Sequence, residues 1–176
     1  LLLIAHALAE EEEERESNPN ERMHGCRERG EVYVPALCWS TTAWPFVQMG
    51  YRVVLADVRP DTLALDAASV VSCLRECGDF ALPTGIVLVH VMGLDVNASE
   101  YAEFAKANGD MWLVEDCCES LGAHFSHGHH AGAAGRYAAY SFYHSHLLST
   151  MEGGAVRSAN NFDVDALREA RAHGWD

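Results

Sequence analysis

Apolar and polar positions fall into blocks along the chain that read alternately as strands and helices. Residues 1 to about 15 form a helical block, apolar first and acidic after. Ser17 to Gly30 is polar and turn-rich around Asn18-Pro19-Asn20, which predicts a loop. Glu31 to Pro35 is a short β-rich run. Thr41 to Met49 predicts a helix, with Pro45 in its first turns and Gly50 ending it. Arg52 to Asp57 reads as a second strand, closed by the turn residues Arg59-Pro60-Asp61. Asp66 to Cys77 has helical spacing with Asp66 as its N-cap. Ile86 to Val91 is continuously apolar, and Ser99 to Asn108 is an amphipathic helix stopped by Gly109. Met111 to Val114 is another apolar strand, running into Glu115-Asp116. His124 to Gly135, rich in glycine and histidine, reads as a loop or hairpin. Ala138 to Tyr143 and Gly154 to Ser158 predict two further strands, and Asp163 to Ala172 a last helix.

Continuously apolar strands alternating with helices predict an α/β fold: a mainly parallel sheet with helices on both faces. Ligands in such folds sit beyond the carboxyl ends of the strands. The segments that follow the strands are therefore the place to look for chemistry.

Composition narrows the partners. The formal net charge of -14 repels phosphate backbones, so nucleic acid is not expected as a partner. Part of that charge is the unbroken run Glu10 to Glu14, expected to be solvated. The apolar opening Leu1 to Ala9 is too short to span a membrane and carries no basic leader, so neither a membrane anchor nor a signal peptide is expected. A chain that starts inside an apolar run without methionine is expected to be a fragment. The six cysteines, Cys26, Cys38, Cys73, Cys77, Cys117 and Cys118, show no zinc-ribbon spacing. They read as reduced, mostly buried thiols of a cytoplasmic protein, with packing as the role of Cys117 and Cys118.

Four segments stand out. They are Pro35-Ala36-Leu37-Cys38-Trp39-Ser40-Thr41-Thr42; Val114-Glu115-Asp116-Cys117-Cys118-Glu119-Ser120-Leu121-Gly122; Ser141-Phe142-Tyr143-His144-Ser145-His146 leading to Glu152-Gly153-Gly154; and Arg171-Ala172-His173-Gly174-Trp175. Each alone has an ordinary reading. Asp116 reads equally as a helix cap, Trp39 as a core tryptophan, Ser141 as a satisfied strand serine, and His146 as an inert loop histidine. In order and spacing together, from about Glu31 to Asp176, they resemble the DegT/DnrJ/StrS family of sugar aminotransferases and dehydratases that use pyridoxal 5'-phosphate (PLP).

The resemblance implies the large domain of a fold-type-I PLP-dependent transferase. Residues 1–30 would be a partial N-terminal helix and acidic loop. Residues 31–176 would be an incomplete PLP-binding domain, with the small C-terminal domain following. It implies that Asp116 bonds the pyridine nitrogen of the cofactor, that Trp39 stacks on its ring and that Ser141 bonds its phosphate. Glu119 takes a place near the ring hydroxyl where many relatives have glutamine. The family's pattern Ser-Phe-x-x-x-Lys puts a lysine five residues after the serine, and here that position holds His146. Lys106, the only lysine of these 176 residues, lies on a predicted amphipathic helix.

Family members with histidine there resemble C-3 dehydratases of nucleotide-linked 4-keto-6-deoxysugars, which hold pyridoxamine 5'-phosphate (PMP) without a covalent bond. Histidine is then the base, a role that suits an imidazole because it exchanges protons readily near neutral pH. Here the segment reads His144-Ser145-His146-Leu147, whereas relatives often have proline before the histidine and a second histidine after it. Alternatives are a sugar aminotransferase acting on the 4-ketosugar, or a non-catalytic relative that binds cofactor. The resemblance also implies a homodimer, and some members work with a separate reductase while others do not. His124, His127, His129 and His130 admit a metal site. With no carboxylate or cysteine at ligand spacing inside the tract, a solvated hairpin is the preferred reading and no metal is expected.

Overall fold

The computed structural model describes residues 1–16, 29–77, 83–126 and 128–172. The expectations for most of the 17–30 loop, for Cys26 and His127, and for His173-Gly174-Trp175 fall outside these residues.

Helix α1 (Leu2–Glu16) is followed by β1 (Arg29–Pro35), α2 (Ser40–Gln48), β2 (Tyr51–Ala56), α3 (Ala67–Cys77), β3 (Pro83–Val89), α4 (Ala98–Ala107), β4 (Trp112–Asp116), β5 (Tyr137–Ser141), β6 (Gly154–Ser158) and α5 (Asn161–Arg171). The six strands form one sheet in the order β2-β1-β3-β4-β5-β6. Neighbours from β2 to β5 run parallel, and only β6 returns antiparallel to β5. The predicted architecture is therefore present.

Alternation along the strands splits the core in two. Tyr33, Ile86, Leu88, Leu113 and Ala138 face a layer made with α3 and α4. Val32, Val34, Val87, Val89, Val114 and Ala139 face the opposite layer, which includes Ile4 and Leu8 of α1 and Phe46 of α2. Each fully buried Val, Leu, Ile or Phe contributes roughly 1.5–3 kcal/mol, so two filled faces explain why β3 reads as an unbroken apolar run. The register sets Gly85 beside Trp112, where a side chain on Gly85 would collide with the indole.

Local chemistry fixes the ends. The Asp66 carboxylate accepts from the Ala68 N–H at 3.1 Å, the cap expected for α3. Asn160 caps α5 in the same way, accepting from Asp163 N at 2.8 Å. Two strands end earlier than their apolar runs. After β3 the chain turns at Val91–Gly93, with Met92 at φ 51. After β5 the Ser141 hydroxyl accepts from Tyr143 N at 3.2 Å and bends the backbone away.

The acidic run is not simply solvated. Arg136, just before β5, donates to both oxygens of Asp163, at 2.9 and 2.7 Å, and to Glu11 at 2.5 Å, so one guanidinium ties α1, the start of β5 and α5 together. Glu12 pairs with Arg29 at 3.8 Å. Arg29 in turn donates to the Ala9 carbonyl at 2.7 Å and tethers α1 to β1.

Candidate active site

Successive residues of a strand point to opposite faces, so Glu115 and Asp116 do different work despite being adjacent. Glu115 faces the α3–α4 side and Asp116 faces the α2 side. Asp116 is 5% exposed. Its Oδ2 accepts from the Thr42 hydroxyl of α2 at 2.7 Å, and its Oδ1 accepts from Cys118 N at 3.2 Å. Each carboxylate oxygen has a second lone pair, so a buried acceptor remains available at the carboxyl ends of the strands.

Asp116 opens on a cavity of about 570 Å³ whose walls also include Trp39, Thr42, Cys118, Glu119, Ser141 and His146. All five residues singled out in the sequence, Trp39, Asp116, Glu119, Ser141 and His146, thus meet on one cavity although they span 107 positions (39 to 146). Trp39 stands just before α2 and is 76% exposed, so its ring is a wall of the cavity rather than part of the core. His146 lies in the connection after β5, half-buried, with Nδ1 3.4 Å from Glu119 Oε1. Lys106 sits exposed on α4 and is not among the lining residues, and no lysine is found at the cavity among the described residues.

Cys38 and Cys118 also line this space. Burial pushes both thiols up, and the Asp116 charge adds to it, so they remain protonated and poor nucleophiles. Cys38, Cys73, Cys117 and Cys118 are all free.

The support behind Asp116 was not foreseen from local motifs. His90, at the end of β3, is fully buried, and its Nε2–H donates to Glu115 Oε2 at 2.7 Å. Glu115 accepts three more bonds, from the backbone N–H groups of Gly132 (3.0 Å), Ala134 (2.8 Å) and Gly135 (2.5 Å). The connection between β4 and β5 is thereby pinned to the strand that carries Asp116. Gly132 is required there: its φ is +86°, and a side chain would strike the Tyr140 hydroxyl. His90, Glu115 and Cys117 lie close enough to share an ion. Burial keeps the Cys117 thiol neutral, however, and four N–H groups already aim their positive ends at the carboxylate, so the cluster suits a buried anion rather than a cation.

Burial works to raise the Glu115 pKa, but the bonds from His90, Gly135 and Gly132 outweigh it and hold the group below its ordinary value of 4.5. Since folding lowers this pKa, the stabilisation is complete above the ordinary value and is lost as pH falls through the lowered one. Glu115→Gln, whose amide would turn an NH2 against two of the four donors, should cost about 2–3 kcal/mol in denaturant unfolding at neutral pH. The difference from wild type should shrink in acid.

The profile of the DegT/DnrJ/EryC1/StrS aminotransferase family matches residues 22–176. The chain belongs to that family. Its relatives include the GDP-4-keto-6-deoxy-D-mannose 3-dehydratase of Escherichia coli O55:H7, 35% identical over 147 residues, which cover 82% of this chain and 36% of that protein. The same enzyme of Yersinia pseudotuberculosis is also 35% identical, again over 82% of this chain and 35% of the relative. An L-glutamine:2-deoxy-scyllo-inosose aminotransferase of Streptomyces kanamyceticus is 31% identical over 82% of this chain and 32% of its own length. Among solved structures, a mutant GDP-4-keto-6-deoxymannose-3-dehydratase with bound GDP-perosamine superposes with a TM-score of 0.78 at 30% identity, covering 99% of this chain and 41% of that one. The 3-dehydratase with a trapped PLP-glutamate geminal diamine gives 0.78 at 32% identity over the same shares. The family chain described here therefore spans about a third of the length of its curated relatives. Among the described residues no helix is long and apolar enough to cross a membrane.

Proposed function

We propose that the full-length protein binds PLP or PMP without a covalent bond in the cavity under Trp39. There it removes the C-3 hydroxyl of a nucleotide-linked 4-keto-6-deoxysugar, with His146 as base. The observation that carries this reading is the convergence of a buried carboxylate, an exposed indole and a histidine on one cavity with no lysine among its described lining residues. The space suits a cofactor of this size, since pockets for such molecules run to about 300–1,000 Å³.

In this reading Asp116, held by Thr42 and the Cys118 N–H, keeps a proton on the ring nitrogen that faces it. Trp39 covers a ring face, and Ser141 offers a hydroxyl to the phosphate. The amine form of the cofactor, when bound, supplies an electron-accepting ring and the nitrogen that engages the sugar ketone. Glu119, whose Oε1 lies 3.4 Å from His146 Nδ1, faces that side of the imidazole, which leaves Nε2 as the atom that takes and returns a proton.

The proposal extends to a cytoplasmic homodimer. Leu37, Trp39, Leu147, Leu148 and Met151 are exposed near the cavity, which supports a partner subunit covering this face.

The discriminating experiment is product analysis. Full-length protein with PLP, an amine donor and GDP-4-keto-6-deoxymannose is expected to give a sugar lacking the C-3 oxygen, read by mass spectrometry. A product aminated at C-4 would assign amino transfer instead, and no turnover with any 4-ketosugar despite bound cofactor would assign a non-catalytic role.

A further inference from the structure

Residues 123–125 and 129–131 pair as a hairpin that brings two histidines of the tract together. Ala131 N donates to Ala123 O at 3.0 Å, and Phe125 N donates to His129 O at 2.8 Å. His124 and His130 face each other between these two bonds, as an isolated antiparallel bridge. That is the non-hydrogen-bonded pair position, where opposed side chains come closest and leave on the same face. The two imidazoles are exposed, with ring centroids 4.7 Å apart and planes at 79°.

The distance can be compared with what an ion requires. With Zn–N bonds of about 2.0–2.1 Å and near-tetrahedral angles, two imidazoles on one ion have ring centres about 5 Å apart. The observed 4.7 Å between ring centres is close to that separation.

The platform beneath is fixed. Phe125, next to His124 on the first strand of the hairpin, is buried and stacks on His90 with centroids 5.3 Å apart. The chain just after His130 is held by the bonds from Gly132, Ala134 and Gly135 to Glu115. Preorganised ligands lose little conformational freedom when they bind.

We propose that His124 and His130 form a two-imidazole site for a borderline transition-metal ion such as zinc. Water or a further ligand would complete the coordination. Imidazole suits zinc, copper and nickel and is a poor partner for magnesium or calcium. The site lies on the hairpin, not on the cavity that holds Asp116 and His146, so it stands or falls independently of the proposed reaction.

The test uses untagged full-length protein with cofactor bound, stripped of metal and titrated with zinc in a calorimeter. Wild type is expected to bind one more ion than the double variant His124→Ala/His130→Ala. Each single variant should weaken that event at least about tenfold, the scale of one lost ligand contact. Zinc should also raise the thermal midpoint of wild type more than that of the double variant, while circular dichroism without metal stays the same. Equal zinc stoichiometry and affinity in wild type and double variant would overturn the proposal. So would a wild type that takes up no zinc.

Discussion

Replacing His146 by lysine in the full-length protein is expected to convert an exchangeable cofactor into a covalently held one and to lower dehydration at least about 100-fold. The side chain at 146 reaches the cavity wall, and the lysine of this stretch, Lys106, is exposed on α4 away from it. A primary amine at 146 can bond the aldehyde form of the cofactor, which an imidazole does not do. Borohydride reduction followed by intact mass measurement should then show cofactor attached to the variant and none attached to wild type. His146→Asn separates the two effects, because it removes the base without supplying an amine. It should lose dehydration to a similar degree and keep exchangeable cofactor. Undiminished dehydration in either variant would mean that His146 is not the base.

Asp116→Asn is expected to cut turnover by about 100- to 1000-fold, the scale seen when one preorganised electrostatic partner is removed. The asparagine oxygen can still accept a hydrogen bond, and the Thr42 hydroxyl can rotate to become an acceptor, so the fold should lose little. What is lost is the negative charge that holds a proton on the ring nitrogen. Unfolding curves close to wild type together with collapsed turnover would place the effect in the chemistry. If turnover survived, Asp116 would be a structural cap after all, a role its contact with Cys118 N also satisfies.

The layers of this fold were legible because β3 and β4 are covered on both faces and therefore read as unbroken apolar runs. The same logic misjudges the edge: β2 is equally apolar, yet Leu55 is exposed because no strand lies beyond it. Turn chemistry set boundaries that hydrophobicity did not, as at Ser141, whose hydroxyl ends β5 two residues before the apolar run stops. For the site, strand ends pointed to segments that meet on one cavity, and the spacing from Ser141 to His146 marked the position where the family pattern has lysine.

What the sequence hid was pairing across distance. Thr42 and Asp116 are 74 residues apart, and His90 and Glu115 are 25 apart. Nothing local marks either as a pair. Glu115 looked like part of the Asp116 motif, but alternation sends it to the other face, where it braces the β4–β5 connection instead. Glu11 looked solvated because its partner, Arg136, lies 125 residues away, just before β5. The histidine tract admitted a metal in sequence, but which two of its imidazoles face each other emerges only when the hairpin pairs His124 with His130.

The most direct measurement is a crystal structure of the full-length protein grown with pyridoxamine phosphate. Ring density is expected between the Trp39 indole and the Asp116 carboxylate, with the ring nitrogen on Asp116 and the His146 imidazole facing the same ring without a bond to it. Cofactor found elsewhere on the protein, or bound with Asp116 still turned only toward Thr42 and Cys118, would contradict it.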